Sequence, residues 1–263
     1  MTDAVDAAFR NSAPQWFRAR TTHEYDVVRQ RVGSDVALER ARILDFGCGE
    51  LPVAAASFAL RHPASSVTGC DVLALNARVL ESSLREHAGQ PVPSNLQVLQ
   101  APPNGFRWTG EPFDLVYSWS VFEHIPAADI RTNFALIRDC LAPGGVFFFQ
   151  IGGLYHHTSG SHLGSVFPDE PWHHLTRSLD ELESVVMSQP MAEAARLRLW
   201  RQFVELNRLT AEDFLDAAAD AGLVLQWHQN LRDKAHAPPV RLLRSHTLDA
   251  LVTSEVRAVF QVA

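Results

Sequence analysis

The chain has 263 residues and a formal charge of -7 at pH 7, with 46% hydrophobic and 20% charged residues. This is the size of a large single domain with room for a real core, and its acidic balance gives no general attraction to phosphate backbones or anionic lipid. Cys48, Cys70 and Cys140 are too few and too scattered for a disulfide framework or a zinc motif. The amino-terminal residues are acidic and lack an apolar signal region, and no apolar run reaches membrane-spanning length. These features set the expectation of a soluble, cytoplasmic protein with no membrane and no nucleic-acid partner; they set no oligomeric state.

Residues 1–40 are polar and amphipathic by turns, and predict a helical N-terminal cap that buries Trp16, Phe17, Tyr25, Val28, Val32, Val36 and Leu38. From residue 41 the pattern changes. Short apolar runs at 43–46, 67–71, 96–99, 113–118 and 146–151 alternate with helical spacing at 52–61, 73–87 and 127–141. That rhythm predicts right-handed crossovers and a parallel sheet. Residues 152–209 break it with a loop rich in glycine and histidine, followed by helices over 178–187 and 191–206. A segment this long after a central strand is usually an insertion that covers a site.

Thr210-Ala-Glu-Asp213 reads as a capping box opening a helix to Ala221, with Gly222 at its end. A sixth strand over 222–228, a loop over 229–246, a short helix over 247–253 and a last strand over 256–262 follow. The expectation is an α/β fold: a Rossmann-like, seven-stranded, mostly parallel sheet with helices on both faces. Residues 1–40 form its cap, 41–263 its ligand-binding domain, and 152–209 a helical insertion after the fifth strand.

The first strand ends in Ile43-Leu-Asp-Phe-Gly-Cys-Gly49. Glycines there let the backbone turn sharply and approach a ligand at the switch point of an open sheet. Asp71 closes the second strand about twenty residues on, where a carboxylate can accept hydrogen bonds from both ribose hydroxyls. A dinucleotide site requires a third glycine at the position held by Pro52. Cys48 reads as a small residue filling the turn rather than a nucleophile.

With these residues the chain resembles the class I S-adenosylmethionine (SAM)-dependent methyltransferases, over roughly 40–151 and 210–262. Phe113-Asp-Leu-Val-Tyr-Ser-Trp-Ser-Val-Phe-Glu-His-Ile125 is similar to the family's fourth strand and following turn, and Leu141-Ala-Pro-Gly-Gly145 to the turn before its fifth strand. The resemblance implies SAM as cofactor and methyl transfer as the activity. It assigns the methionine end to Asp45, Gly47, Cys48 and Gly49, and the ribose to Asp71 with Val72 beside it. The methionine amino group falls to the backbone near Ser118, Trp119 and Ser120. The chain departs from the family in having Leu51-Pro52 where a third glycine is usual. It also has Gln100-Ala-Pro-Pro103 where an acid often contacts adenine.

The same resemblance brings the acceptor to the carboxyl ends of strands four and five, so the insertion supplies its pocket. Tyr155, His156, His157, Trp172, His174 and Arg201 are the candidate substrate residues; His162 or His173 is the candidate base, with His124 close to the methyl-transfer region. Gly160-Ser-His-Leu-Gly164 and Pro171-Trp-His-His-Leu175 more loosely resemble bacterial methyltransferase-like proteins, some associated with surface polysaccharide. A small-molecule acceptor follows, with oxygen ahead of nitrogen. The helix at 191–206 also reads as an amphipathic lid with Leu197, Trp200 and Val204 on its apolar face. A metal held by His162, His173, His174 and Asp169 or Glu170 matches no fixed motif, so no metal ligands are assigned. Two other readings stay open: a catalytically inactive SAM-fold regulatory protein, and a SAM enzyme of non-methylating chemistry.

Overall fold

Apolar strand runs separated by helical spacing form one open sheet in the computed structural model, which describes residues 2–102, 107–233 and 235–262. Helices α1 (Thr2–Arg10) and α2 (Gln15–Arg18), a π-helical turn (Ala19–His23) and α3 (Glu24–Val32) precede β1 (Arg42–Phe46). Then come α4 (Val53–Arg61), β2 (Ser66–Asp71), α5 (Ala77–Ala88), β3 (Leu96–Gln100), β4 (Phe113–Trp119), α6 (Ile130–Cys140) and β5 (Leu141–Gly152). The insertion contributes α7 (His173–Thr176), α8 (Leu179–Met187) and α9 (Glu193–Val204). The chain returns through α10 (Ala211–Asp220), β6 (Leu223–Arg232), α11 (Leu248–Val252) and β7 (Thr253–Val262).

The strand order is β3-β2-β1-β4-β5-β7-β6. β1 pairs in parallel with both β2 and β4, β4 with β5, and β7 runs antiparallel between β5 and β6. The order reverses between β1 and β4, and open sheets bind ligands in the crevice beyond the carboxyl ends at that point.

β5 shows why the sheet is buried on both sides. Phe147 and Phe149 join Phe122, Phe134, Phe214 and Phe260 under α6 and α10, while Val146 and Phe148 join Tyr117, Phe58, Val28 and Val32 under the opposite layer. Successive strand side chains point to opposite faces, so a continuous apolar run serves two cores. Truncating a phenylalanine such as Phe134 to alanine in such a core costs about 3–5 kcal/mol.

Several element ends differ from the sequence reading. The helix after β2 begins at Ala77 because the Asn76 side chain accepts from the Val79 N–H and caps it there. β6 extends to Arg232 because its pairing with β7 continues that far. In the cap, Trp16 is 46% exposed while its neighbour Phe17 is buried. The Thr210–Asp213 capping box is present, with both reciprocal hydrogen bonds formed.

The insertion has a core of its own, made of Tyr155, Leu163, Phe167, Leu182, Val186, Phe203 and Leu206. This fixes the rotation of α9 and corrects its expected apolar face. Phe203 turns inward beside Trp200, whereas Leu197 and Val204 are 51% and 48% exposed.

Candidate functional site

The loop after β1 is tied to the end of β2. Gly47 and Cys48 N–H groups both donate to the Cys70 carbonyl, at 2.7 and 3.1 Å. The Asp71 carboxylate accepts from Gly49 N–H at 2.7 Å through one oxygen and from Leu73 N–H at 2.8 Å through the other. A carboxylate so held is pre-oriented, and each of its oxygens keeps acceptor capacity beyond the bond it makes here. Gly47 has φ of +85°, and an added Cβ would lie 2.3 Å from Val121 Cγ2, so no other residue fits there. Cys48 is buried, and its Sγ would stand 2.9 Å from a Cβ on Gly69. Burial pushes its thiol well above the ordinary range, which suits a packing residue and not a nucleophile. Pro52 takes the N-cap position of α4, so the turn keeps its helix without a third glycine.

Beneath this turn lies a buried polar cluster in which Arg20, Glu24 and Tyr117, not singled out by the sequence, join Asp45 and Ser118. Glu24 and Asp45 are 1% and 2% exposed. Arg20 Nε stands 3.5 Å from Glu24, yet neither Glu24 oxygen has a hydrogen-bond partner among the described residues. The Ser118 hydroxyl is likewise unpartnered, and the Tyr117 hydroxyl lies against the Asp45 carboxyl and lowers its pKa as a hydrogen-bond donor. Burial pushes both carboxyls up, Arg20 opposes this, and Asp45 adds to the shift of Glu24. Groups desolvated at this cost without partners form a receptor for a cation or hydrogen-bond donor. The Arg20/Glu24 pairing at i,i+4 in the cap was the available signal.

The fourth-strand residues separate by role. Ser118 is buried within the sheet, and Trp119 stacks on Phe148 with His23 against its edge. Ser120 turns with φ of +54°; its N–H donates to the Gln150 carbonyl and its hydroxyl to the Gln150 side chain. Val72, next to Asp71, is 55% exposed. Gln100 bonds the Val72 carbonyl, and Ala101 N–H donates to the Asp71 carbonyl. Pro103, part of the segment expected near adenine, lies outside the described residues.

The insertion's histidines divide sharply. His173 is buried; its Nδ1–H donates to the Glu170 carbonyl at 2.8 Å and its Nε2 accepts from Ser161 at 2.6 Å. With both nitrogens used and the ring stacked on Phe167, it has no free nitrogen for an acceptor's proton. In this arrangement the expected base role of His173 would require one of these two bonds to break. His174 donates to the Tyr155 carbonyl at 2.5 Å, and burial holds it down to about 3. His157 is buried against Ser159, and Tyr155 belongs to the insertion's core. Trp172 packs with Leu242 and Leu251. His156 donates to the Arg208 carbonyl and lies beside His246. Arg201 is exposed and paired with Glu205. All six make contacts within or beside the insertion, yet His156 Nδ1, His157 Nε2, His174 Nδ1 and Trp172 Nε1 are buried without a hydrogen-bond partner among the described residues. The metal set drawn from His162, His173 and His174 is dispersed, and Glu170 is taken by Arg177 at 2.6 Å.

His162 and His124 do meet, with ring centroids 5.2 Å apart. They come from the insertion and from the turn after β4, at the carboxyl ends of the central strands. His162 adopts φ of +58°, rare for a side chain of its size, and Gly153 makes room for it: a Cβ on Gly153 would lie 3.1 Å from His162 Nε2. Burial, and then His124, push His162 down to about 4. Glu123 is buried beside them, and burial pushes its carboxyl up to about 8.

An open sheet reversing between β1 and β4, a glycine turn and an acid at the end of β2 define a class I SAM-dependent methyltransferase. A family model described as a methyltransferase domain matches residues 17–228, and the chain belongs to that family; SAM is its methyl donor. No curated protein matches it in sequence. Among solved structures it is similar to a SAM-dependent methyltransferase from Mesorhizobium loti, at 18% identity and TM-score 0.53 over 90% of this chain and 96% of that one. It is similar to magnesium protoporphyrin IX methyltransferase from Synechocystis PCC 6803 with bound SAH, at 11% identity and TM-score 0.53 over 98% and 93%. A cyclopropane synthase from Mycobacterium tuberculosis aligns at 20% identity and TM-score 0.51 over 88% and 77%. Identities this low speak for the fold alone. Among the described residues no helix is long and apolar enough to cross a membrane.

Proposed function

We propose that this enzyme transfers the methyl group of SAM to an oxygen, or failing that a nitrogen, of a small metabolite or sugar-like acceptor in the cytoplasm. The cofactor supplies an electrophilic sulfonium methyl open to in-line displacement. The buried cluster fits its methionine end: Asp45 and Glu24 for the ammonium, Arg20 for the carboxylate. Asp71 fits the ribose hydroxyls, and exposed Val72 offers apolar cover beside them. The three free, buried cysteines are those of a protein kept reduced.

The observation that carries the acceptor reading is the meeting of His124 and His162 where β4 and β5 end. Held down to about 4, His162 is neutral at neutral pH and can accept a proton. A weak base suffices, because an acceptor hydroxyl becomes strongly acidic as it gains the methyl group. Fixing acceptor, base and methyl in line supplies the rest of the rate through orientation.

The test is release of S-adenosylhomocysteine with a panel of hydroxylated and aminated metabolites, each product checked for a gain of one methyl. His162→Asn keeps a residue tolerant of positive φ and is expected to lower kcat by about 100-fold or more. Unchanged turnover in both His162→Asn and His124→Ala would remove these residues from the reaction.

A further inference from the structure

We propose that Glu123, His124 and His162 form a binding site for one divalent transition-metal ion at the carboxyl ends of β4 and β5. One ligand atom from each lies within 4.8 Å of the others. Donor atoms on a single zinc ion stand about 3.4 Å apart, given bonds of about 2.1 Å, so closure requires a movement of an ångström or so. His124 is exposed, which gives an ion a route in from solvent.

Two independent features point to a ligand here. Glu123 is 4% exposed, and beyond its own backbone N–H neither carboxylate oxygen has a hydrogen-bond partner among the described residues. A buried carboxylate left bare is costly unless a cation or donor completes it. The surrounding backbone is also built to hold these residues. Asn207 donates its side-chain amide to the Phe122 and Ile125 carbonyls at 2.6 and 2.7 Å, and its N–H to the Glu123 carbonyl at 2.9 Å. Across from this clamp, His162 is kept in the left-handed region against glycine-sized space at Gly153. Strain of that kind persists where the surroundings over-determine a position, and it gathers at ligand sites.

Two imidazoles and one carboxylate suit zinc, iron(II) or cobalt(II) better than magnesium or calcium, which prefer all-oxygen sets. Three protein ligands leave coordination positions open. With an ion bound, the two imidazoles are its ligands in place of the base role, and an open position beside the acceptor holds its oxygen; that role rests on the proposed acceptor site, whereas binding of the ion does not.

The experiment uses the full chain, stripped with chelator and titrated with Co2+, read by visible absorption and by calorimetry. The expected result is one ion per chain with the visible bands of a nitrogen-ligated cobalt centre. Glu123→Gln and His162→Asn should each weaken binding by roughly 100-fold or more. His228→Ala, on β6 at the far edge of the sheet, should bind as the parent does. Melting curves confirm that each variant is folded, and Glu123→Gln keeps a neutral side chain of the same shape at that buried position. No binding, or binding that survives both variants, overturns the site. Cobalt bound without methyl transfer to any acceptor supports the site and removes the acceptor reading. Methyl transfer by a protein that binds no cobalt removes the site and leaves that reading.

Discussion

The cofactor end of the sheet and the histidine-rich insertion both bury titratable side chains, and they differ in how far each group is bonded to its neighbours. Around β1, Glu24 and Asp45 are sealed from water with the Glu24 oxygens left unpartnered, and burial raises both pKa values. In the insertion, His156, His157, His173 and His174 each bond at least one ring nitrogen to a neighbour, and burial lowers all four. Only His173 bonds both; the second nitrogens of His156, His157 and His174 stay unpartnered among the described residues. Unpartnered buried groups are the expensive ones, and they mark places where a ligand completes the structure. His173, with both ring nitrogens bonded, does internal work. The density of histidine in a segment is thus a poor guide to chemistry, and the pattern of unspent hydrogen-bonding capacity is a better one.

The comparison breaks most directly if the two regions fail to separate binding from stability. Asp71→Ala removes the acceptor of both Gly49 and Leu73 N–H groups and the proposed ribose contact. Each hydrogen bond to a charged group contributes about 1.5–3 kcal/mol. Calorimetric affinity for S-adenosylhomocysteine should therefore fall by roughly 100-fold, on a fold that still melts cooperatively. His173→Ala should do the reverse. It strands the Ser161 hydroxyl and opens space beside Phe167, costing about 2–3 kcal/mol in denaturant unfolding with cofactor affinity unchanged. A cofactor defect in His173→Ala would show that the insertion takes part in the cofactor site.

A smaller effect lies in the pH dependence of stability. Glu24, Asp45 and Glu123 have folded pKa values above the unfolded carboxylate range, with Glu123 at about 8. Between the unfolded value and the folded one the native state holds more protons, so stability falls as pH rises through that window. The histidines act the other way. His162 at about 4 and His174 at about 3 lie below the unfolded value of about 6.5, so their contribution is intact above that pH and is lost as pH falls toward 4. The melting temperature of cofactor-free protein should thus pass through a maximum and decline by a few degrees toward pH 8. Glu24→Gln should flatten the alkaline arm, and His174→Gln the acid arm. Equal slopes in parent and Glu24→Gln would sink the assignment of that arm.

The sheet was legible because strand runs, glycine turns and strand-end acids are local patterns. Asp45–Gly49 and Asp71 could be placed at adjacent strand ends from spacing alone, and β1–β2 pairing brings them together. The antiparallel course of β7 is not local: nothing in Thr253–Val262 encodes which neighbour it lies beside. In the insertion the residue types were readable but their partners were not. Ser161 meets His173 across a loop, and Tyr155 offers its carbonyl to His174, contacts set by how that small core closes. Arg20 and Glu24 were hidden by looking like the solvated face of a cap helix. Glu123 was visible beside His124, but its burial and its distance to His162 depend on Asn207 clamping the turn.

Arg201 gives the finest test of the comparison, because it sits on the insertion and carries a charge that sequence reading offers to a substrate anion. Its side chain is 76% exposed and stands 3.2 Å from Glu205 one helical turn away. Exposed i,i+4 pairs contribute about 0.3–0.5 kcal/mol, and salt screens them further. If α9 presents this face only to water, Arg201→Ala should shift denaturant stability by no more than that and leave KM for the acceptor unchanged. A charge that meets a carboxylate or phosphate on the substrate would behave differently: KM would rise several-fold, more steeply at low salt, while stability stayed put. The salt dependence decides between the two, since loss of the Glu205 pair alone alters melting and has no route to KM.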